Sequence, residues 1–278
     1  MAIKYQKTKT LVTKTNNNSS DCIAPNIIYG CYGGCVDTYC YMSRYNGKRV
    51  FVNKNVNEIF NSVVEWEKTY TKVPNQQDPV YTMVDIACNS DLVLMQKHVP
   101  GTLHNYLKMY DNHPQLNSTM ATKYPGLLKL DVNGFNKAPR VRVSLMPQKY
   151  SNILEPKMQK IASRIKDVNR LKKLGWEVHL NYSPLIFYPG WSKEYNTLFK
   201  EVKEHAGENK CEVIALTNHV FQMNRANDDA RELMRYSDET KNHNGVMRYP
   251  VNKKRRALDN FKNIYSKYFN LNTIRYIF

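Results

Sequence analysis

Cys31, Cys35 and Cys40 fall within ten residues of the stretch Asn26 to Asn46, NIIYGCYGGCVDTYCYMSRYN, and make up half of the chain's six cysteines. Thiols at such short spacings suit a disulfide knot, a zinc site, a redox pair or an iron–sulfur cluster. Structural zinc takes four ligands, usually two pairs of Cys or His. Cys22, Cys88 and Cys211 each stand alone, so a second pair is missing. Three thiolates without a nearby fourth ligand suit a cluster that leaves one iron open to a chelating ligand. Gly33 and Gly34 let the loop fold tightly around an inorganic core. Spacing alone leaves cluster, zinc and unligated thiols all open.

The rest of the chain narrows the setting. With 278 residues it is long enough for one large domain or two ordinary ones, and 42% hydrophobic residues indicate a globular protein. No apolar run approaches the roughly 18 residues that span a bilayer. The opening segment MAIKYQKTKTLVTKTNNNSS has no apolar core of a signal peptide. A cytoplasmic location without membrane association is therefore expected, where a disulfide framework is not. Lys and Arg total 41 against 24 acidic residues, a formal charge of +17 that favours polyanionic partners, chiefly nucleic acid. Twenty tyrosines include candidates for stacking on bases, although most belong to half-buried packing.

Elements that could position these groups follow in order. Residues 1–25 read as an extended lead-in with one short strand at Thr10–Lys14. Ile27-Ile28-Tyr29 is a short apolar run, stopped by Gly30, that delivers the cysteine loop. Helical periodicity runs over Val56–Lys72, with Asn55 or Asn57 as N-cap, and over Thr102–Tyr110. Strands are expected at Val80–Ala87, Ser118–Thr122 and Arg140–Met146, the last from its period-two alternation. A long basic helix follows over Pro156–Leu174, closed by Gly175. Then come a strand at Trp176–Ile186, a helix at Ser192–His205 capped by Ser192, and a strand at Cys211–Leu216. Helices at Ala226–Arg235 and Lys253–Phe269 and a strand at Thr273–Phe278 complete the chain.

Strands alternating with helices imply a parallel sheet with right-handed crossovers. About six units fit an α/β fold of the partial (β/α)6 barrel type, with a C-terminal helix–strand extension. The expected division is a lead-in over 1–25, the barrel over 26–222 and an extension over 223–278 packed on the barrel. Cys31, Cys88, Lys123, Ser144 and His219 each fall at or just past a strand's end, where such barrels carry their chemistry.

Several segments resemble one family. Lys9-Thr10-Leu11, Pro25 and Gly30-Cys31-Tyr32-Gly33-Gly34-Cys35, ending in Tyr39-Cys40-Tyr41-Met42, resemble the K-T-L, Pro and G-C-x-G-x-C-x-Y-C-Y-L pattern of spore photoproduct lyases, within the radical S-adenosylmethionine superfamily. Asp85-Ile86-Ala87-Cys88-Asn89-Ser90-Asp91 is similar to their E-A-x-C-T-S-D. Thr122-Lys123-Tyr124 is similar to T-K-Y, and Arg142-Val143-Ser144 to R-F-S. Ser183-Pro184 with Gly190-Trp191 and Tyr195, Thr217-Asn218-His219 and Ile274-Arg275-Tyr276-Ile277 continue the likeness in order over most of the chain. Two departures stand out. Four residues separate Cys35 from Cys40 where the family has two, and the chain ahead of the cluster is shorter than in the spore enzymes.

The resemblance implies a 4Fe-4S cluster on Cys31, Cys35 and Cys40, and S-adenosylmethionine as second cofactor. A reduced cluster of that kind cleaves the sulfonium to a 5′-deoxyadenosyl radical, which abstracts hydrogen from a methylene-bridged thymine pair in DNA and so starts its reversal. Cys88 matches the cysteine that returns a hydrogen atom to the product, a task that suits the weak S–H bond. Lys123 matches the residue on the S-adenosylmethionine carboxylate, with Ser90 and Ser144 adding hydrogen bonds. Tyr39 and Tyr41 match tyrosines near substrate and cofactor that are proposed to relay the radical. His219 is placed near substrate or cofactor, where a satisfied core histidine reads nearly as well. Implied partners are DNA with a thymine lesion, or other nucleic acid, and an electron donor such as flavodoxin or ferredoxin. The Lys- and Arg-rich helix from Lys157 to Lys173 and the run Lys253-Lys254-Arg255-Arg256 are candidate phosphate contacts. The competing readings are modification of another base by the same chemistry, and a non-catalytic zinc-containing nucleic-acid-binding protein.

Overall fold

In the computed structural model, residues 2–16, 22–40, 49–71, 78–237, 240–241 and 245–278 are described. The early strands are β1 (Ala2–Gln6), β2 (Lys14–Thr15), β3 (Cys22–Ile23), β4 (Ile28–Tyr29) and β5 (Arg49–Asn53). Alternation with helices begins at α1 (Val56–Thr69). There follow β6 (Thr82–Asp85), α2 (Leu92–Met95), α3 (Leu103–Asp111), β7 (Leu116–Thr122), β8 (Arg140–Leu145), α4 (Gln148–Leu154) and α5 (Ile161–Lys173). The chain continues through β9 (Glu177–Leu185), α6 (Trp191–His205), β10 (Cys211–Ala215), β11 (Thr217–His219), α7 (Val220–Arg225) and α8 (Asp228–Met234). It closes with β12 (Thr240–Lys241), β13 (Val246–Arg248), α9 (Val251–Tyr265) and β14 (Ile274–Ile277).

The main sheet has eight strands in the order β14-β10-β9-β8-β7-β6-β3-β2, parallel throughout except for the β2–β3 pair. It is a partial barrel, and its curl is visible in one side chain. The Arg142 guanidinium on β8 lies 2.6 Å from Asp85 on β6 and 3.4 Å from Glu212 on β10. Each of those strands is two places away, about 9.6 Å along a flat sheet, so the sheet must bend around the arginine. Alternation along RVRVSL sets this up. Arg140, Arg142 and Ser144 take one face, while Val141, Val143 and Leu145 take the other, in the core that α5 joins through Ile161, Ile165 and Val168.

Farther round, Tyr182 of β9 meets Phe199 of α6 at 5.3 Å, and Phe199 meets Phe261 of α9 at 5.2 Å, both edge-on. Such aromatic packing fixes α6 and α9 on the outside of the sheet. A three-stranded sheet β1-β5-β4 and an antiparallel one, β11-β13-β12, flank it. Among the described residues no helix is long and apolar enough to cross a membrane.

Several expected elements differ in detail. The basic helix begins at Ile161, not Pro156, because the preceding turn places Lys157 at φ 65°. Gly190, at φ 83°, occupies the N-cap expected of Ser192. Asn55 does stand at the N-cap of α1, yet its side chain pairs with the Thr8 backbone and Glu58 instead. The helix expected over Ala226–Arg235 is α8, which starts only after Asn227, whose side chain accepts from Ala230 N, and α7 ahead of it is a helix that sequence reading leaves out. The lead-in strand is Lys14–Thr15, preceded by β1, and β5 adds a strand that sequence reading leaves out. The strand before the cysteine loop, β4, pairs antiparallel with β5 and so lies outside the parallel sheet.

Candidate active site

The cysteine loop leaves β4 through Gly30, whose φ of 79° is available to glycine without strain. A short 3-10 turn over Gly34–Asp37 takes up the longer spacing between Cys35 and Cys40. The Cys35 carbonyl closes this turn by accepting from the backbone N–H of Thr38, at 3.2 Å, and of Cys40, at 3.1 Å. Buried Thr38 presents its single hydroxyl proton to two carbonyls, Leu154 at 2.5 Å and Cys35 at 2.9 Å. A Cβ on Gly34 would sit 1.6 Å from the Pro156 carbonyl oxygen, so the loop lies flat on the turn after α4.

The segment after β6 brackets this loop from the other side. Gly30 N–H donates to the Asn89 carbonyl at 2.9 Å, and Ser90 Oγ donates to the Gly30 carbonyl at 2.8 Å. Asp91 then caps α2 through Leu94 N–H and accepts from Thr122 Oγ1 and the Lys123 N–H, both at 2.9 Å. The run Cys88-Asn89-Ser90-Asp91 thus ties the cysteine loop to the end of β7, where Lys123 emerges. Burial raises the Asp91 carboxyl above its ordinary value against these three donors and the charge of Lys123.

Cys31, Cys35, Cys40, Cys88, Ser90 and Lys123 line one cavity of about 210 Å³, with Asp85, Asp91 and Arg142 among its other walls. Burial and the neighbouring Cys40 push the Cys31 thiol up to about 12, while the Gly33 N–H pointing at its sulfur pulls the other way. The Cys35 thiol is raised by its hydrogen bond with Cys40 and then by burial. For Lys123, burial opposes the charge, but Cys35, Glu155, Cys40 and Asp91 around it outweigh burial and raise its pKa. Cys88 is open to solvent at the cavity mouth. Protein packed around its sulfur, and Asp85 next to it, nevertheless push the thiol up to about 12.

Beneath the cavity lies a carboxylate that sequence reading passes over. Glu155 accepts from Tyr39 Oη at 2.7 Å, pairs with Arg164 at 2.7 Å and lies 3.9 Å from Lys123 Nζ. Arg164 is also wholly internal, donating to the carbonyls of Gln159 and Ser144 at 2.7 and 3.0 Å, so it is no phosphate contact. Nothing in the sequence marks Glu155, because a Glu-Pro step opening a basic amphipathic run reads as a helix start. Arg142 and Asp85 are likewise unmarked as chemistry, appearing only as strand residues within longer motifs.

The candidate residues are not all gathered. Tyr39 reaches the site from behind Lys123, whose Nζ is 5.8 Å from its ring centroid. Ser144 is buried at the end of β8 and is not part of the cavity lining. His219 ends β11 and caps α7 in a reciprocal arrangement with Gln222, away from the lining residues. Tyr41 lies outside the described residues.

The donor set can be tested against a metal group. Among the described residues, no three His, Cys, Asp or Glu side chains converge as they would on a single ion. Three sulfurs instead stand around an open cavity that Gly33 also lines, which fits a multi-atom core better than one zinc. The N–H directed at Cys31 is the kind of outer contact that tunes a sulfur ligand.

Comparison with known proteins bears on the whole chain. A family model described as spore photoproduct lyase matches residues 3–268. The spore photoproduct lyase of Clostridium acetobutylicum is 23% identical over 201 residues, which is 72% of this chain and 57% of that protein. The chain therefore spans under two-thirds of this curated relative's length. A solved spore photoproduct lyase complexed with dinucleoside spore photoproduct superposes with a TM-score of 0.74 at 18% identity, over 99% of this chain and 82% of that one. A double mutant with bound AdoMet and dinucleoside spore photoproduct gives 0.76 at 16%, with the same coverage. At such identities the solved structures show a shared fold.

Proposed function

The chain belongs to the spore photoproduct lyase family, and we propose that it is a radical S-adenosylmethionine lyase that reverses a thymine lesion in DNA. The observation that carries this reading is the single cavity lined by Cys31, Cys35, Cys40, Cys88 and Lys123, which come from three separate strand ends. The substrate class comes from likeness to an enzyme solved with dinucleoside spore photoproduct.

When bound, a 4Fe-4S cluster with S-adenosylmethionine supplies a carbon radical strong enough to take hydrogen from the lesion. Cys31, Cys35 and Cys40 hold the cluster in this reading. Lys123 gives a charge-assisted donor to the S-adenosylmethionine carboxylate. Ser90, whose proton is engaged by the Gly30 carbonyl, meets the same ligand as an acceptor. Ser144 acts through the frame, its carbonyl holding Arg164 in place. Cys88 keeps its proton at neutral pH and stands at the mouth, so it can pass a hydrogen atom to the product radical and become a thiyl. Tyr39 lies behind Lys123 as a neutral phenol, the state that burial and Glu155 enforce. A further role near substrate is assigned to Tyr41 by its match to the family alone. The positive surface grips the phosphates while the damaged pair leaves the stack. An electron donor such as flavodoxin or ferredoxin supplies the electron, and six free cysteines suit a reducing, cytoplasmic setting.

The test is anaerobic reconstitution with iron and sulfide, then dithionite, S-adenosylmethionine and a spore-photoproduct dinucleotide. Brown protein that restores thymines is expected, with Cys88→Ala giving trapped adducts in place of thymine. Release of 5′-deoxyadenosine without thymine would sink the repair reading and point to modification of another base. A colourless, zinc-loaded protein would sink the cluster itself.

A further inference from the structure

Resting on that reading, we infer that Glu155 is a positioning residue for the cofactor half of the site. Its carboxylate joins the turn that carries Cys40 to the ammonium of Lys123. The two oxygens divide their work. Oε1 faces the site, 2.7 Å from Tyr39 Oη and 3.9 Å from Lys123 Nζ. Oε2 faces the frame, 2.7 Å from Arg164 and 3.3 Å from Ser151 Oγ. The Glu155 side chain is wholly buried, as is that of Arg164, so neither charge is screened by water.

The neighbours of Glu155 act on the same loop. Leu154 offers its carbonyl to Thr38, and the Pro156 carbonyl lies against Gly34. Three consecutive residues therefore clasp the cysteine loop at three points, and two of those points fall in the longer segment between Cys35 and Cys40. Arg164 in turn is fixed to the end of β8 through the Ser144 carbonyl. The loop is referenced in this way to the barrel rather than to solvent.

The electrostatic consequence is direct. Glu155 sits between two cations, Arg164 and Lys123. Without its charge the two repel across a dry interior, and Lys123, the more mobile and the more exposed, swings out of register with the cavity. Tyr39, the immediate neighbour of Cys40, loses its anchor at the same time. The site would still be able to hold metal, because all three thiols remain.

Iron content and S-adenosylmethionine affinity can therefore be separated. The experiment uses reconstituted parent, Glu155→Gln and Tyr39→Phe proteins. Iron and sulfide are assayed, S-adenosylmethionine Kd is measured by equilibrium dialysis, and the reduced cluster is recorded by electron paramagnetic resonance with and without that ligand. Glu155→Gln is expected to keep the parent's iron while its Kd rises about tenfold, the low end of the effect of outer-shell groups at metal sites. Its ligand-bound spectrum is expected to differ from the parent's. Tyr39→Phe, which leaves the Arg164 pair whole, should move both readouts the same way by less. If Glu155→Gln keeps its iron with Kd and spectrum unchanged, Glu155 is only a structural residue and the inference fails. If Glu155→Gln does not assemble because Arg164 is left unpaired, Tyr39→Phe decides: a raised Kd supports the inference and an unchanged one overturns it. A parent protein that binds no S-adenosylmethionine would instead overturn the function proposed above.

Discussion

At Cys88 two properties that ordinarily oppose each other meet: the residue is open to solvent, yet its proton is firmly held. Exposure normally lets a thiol ionise near 8.5, but here packing around the sulfur and the Asp85 carboxylate push it up to about 12. The direction suits a hydrogen-atom donor, which must carry its hydrogen until the product radical arrives and gains nothing from being a nucleophile. At pH 8 an ordinary thiol is about one quarter ionised, whereas one near 12 is ionised to about one part in ten thousand. Iodoacetamide should therefore label Cys88 well over tenfold more slowly than it labels the unfolded chain at that pH, the scarcity of thiolate being only partly offset by its greater nucleophilicity. The rate should keep climbing with pH up to about 12, as peptide mapping by mass spectrometry can follow. Asp85→Asn removes the carboxylate that raises the thiol, while Arg142 keeps Glu212 as partner, so labelling at pH 8 should accelerate. Labelling of the folded parent as fast as of the unfolded chain would show that the thiol is not held. Resemblance picks out Cys88 from the sequence, but not this behaviour, because Arg142 comes near it only through the curl of the sheet and Asp85 only through the turn that ends β6.

The elements around the site were legible to different degrees, for reasons of length and period. Strands such as β8, with its strict alternation, and helices such as α1 and α6 declare themselves over many residues. The strands of the β11-β13-β12 sheet are two or three residues long and carry no period to read. The turn from Glu155 to Lys160 hides inside a run that looks helical, although it supplies the clasp on the cysteine loop. That clasp makes a steric prediction. A Cβ on Gly34 would meet backbone, the Pro156 carbonyl at 1.6 Å, so Gly34→Ala must displace either the loop or the turn. A Cβ on Gly33 would press only on the flexible tip of Met158, at 3.1 Å, with Tyr124 Oη and Cys31 Sγ at the ordinary contact distances of 3.5 and 3.7 Å. Reconstituted Gly34→Ala is expected to hold less than about half of the parent's iron, with Tm lowered by several degrees at most, because forced overpacking costs about 1–3 kcal/mol. Gly33→Ala should load normally. Equal iron in the two variants would show that the loop does not rest on Pro156 as described.

Across the whole molecule the excess of 41 basic over 24 acidic residues needs a destination, and burial removes some candidates. On α5, Arg164 is internal and Arg170 is tied to Asp167 and to the Leu128 and Pro125 carbonyls. That leaves Lys166, Lys172 and Lys173 exposed there. The segment that ends β13 and runs along α9 is different, because Arg248, Lys254, Arg255 and Lys262 line one groove of about 320 Å³ with Asp259 as its acidic member. Burial lowers the pKa of Lys254, and repulsion from the neighbouring Arg248 adds to that. A row of phosphates would meet four cations there. Each phosphate neutralised on duplex DNA contributes about −0.9 to the slope of log affinity against log salt. Changing Arg248, Lys254, Arg255 and Lys262 together to Gln should thus flatten the slope by up to about 3.6, with lesion-containing and undamaged duplexes losing affinity alike. Fluorescence anisotropy across a salt series reads this directly, and the same variant should still cleave S-adenosylmethionine, since none of the four residues lines the cavity of Cys31, Cys35 and Cys40. An unchanged slope would move the phosphate-gripping face to α5, where replacing Lys166, Lys172 and Lys173 should then flatten it instead.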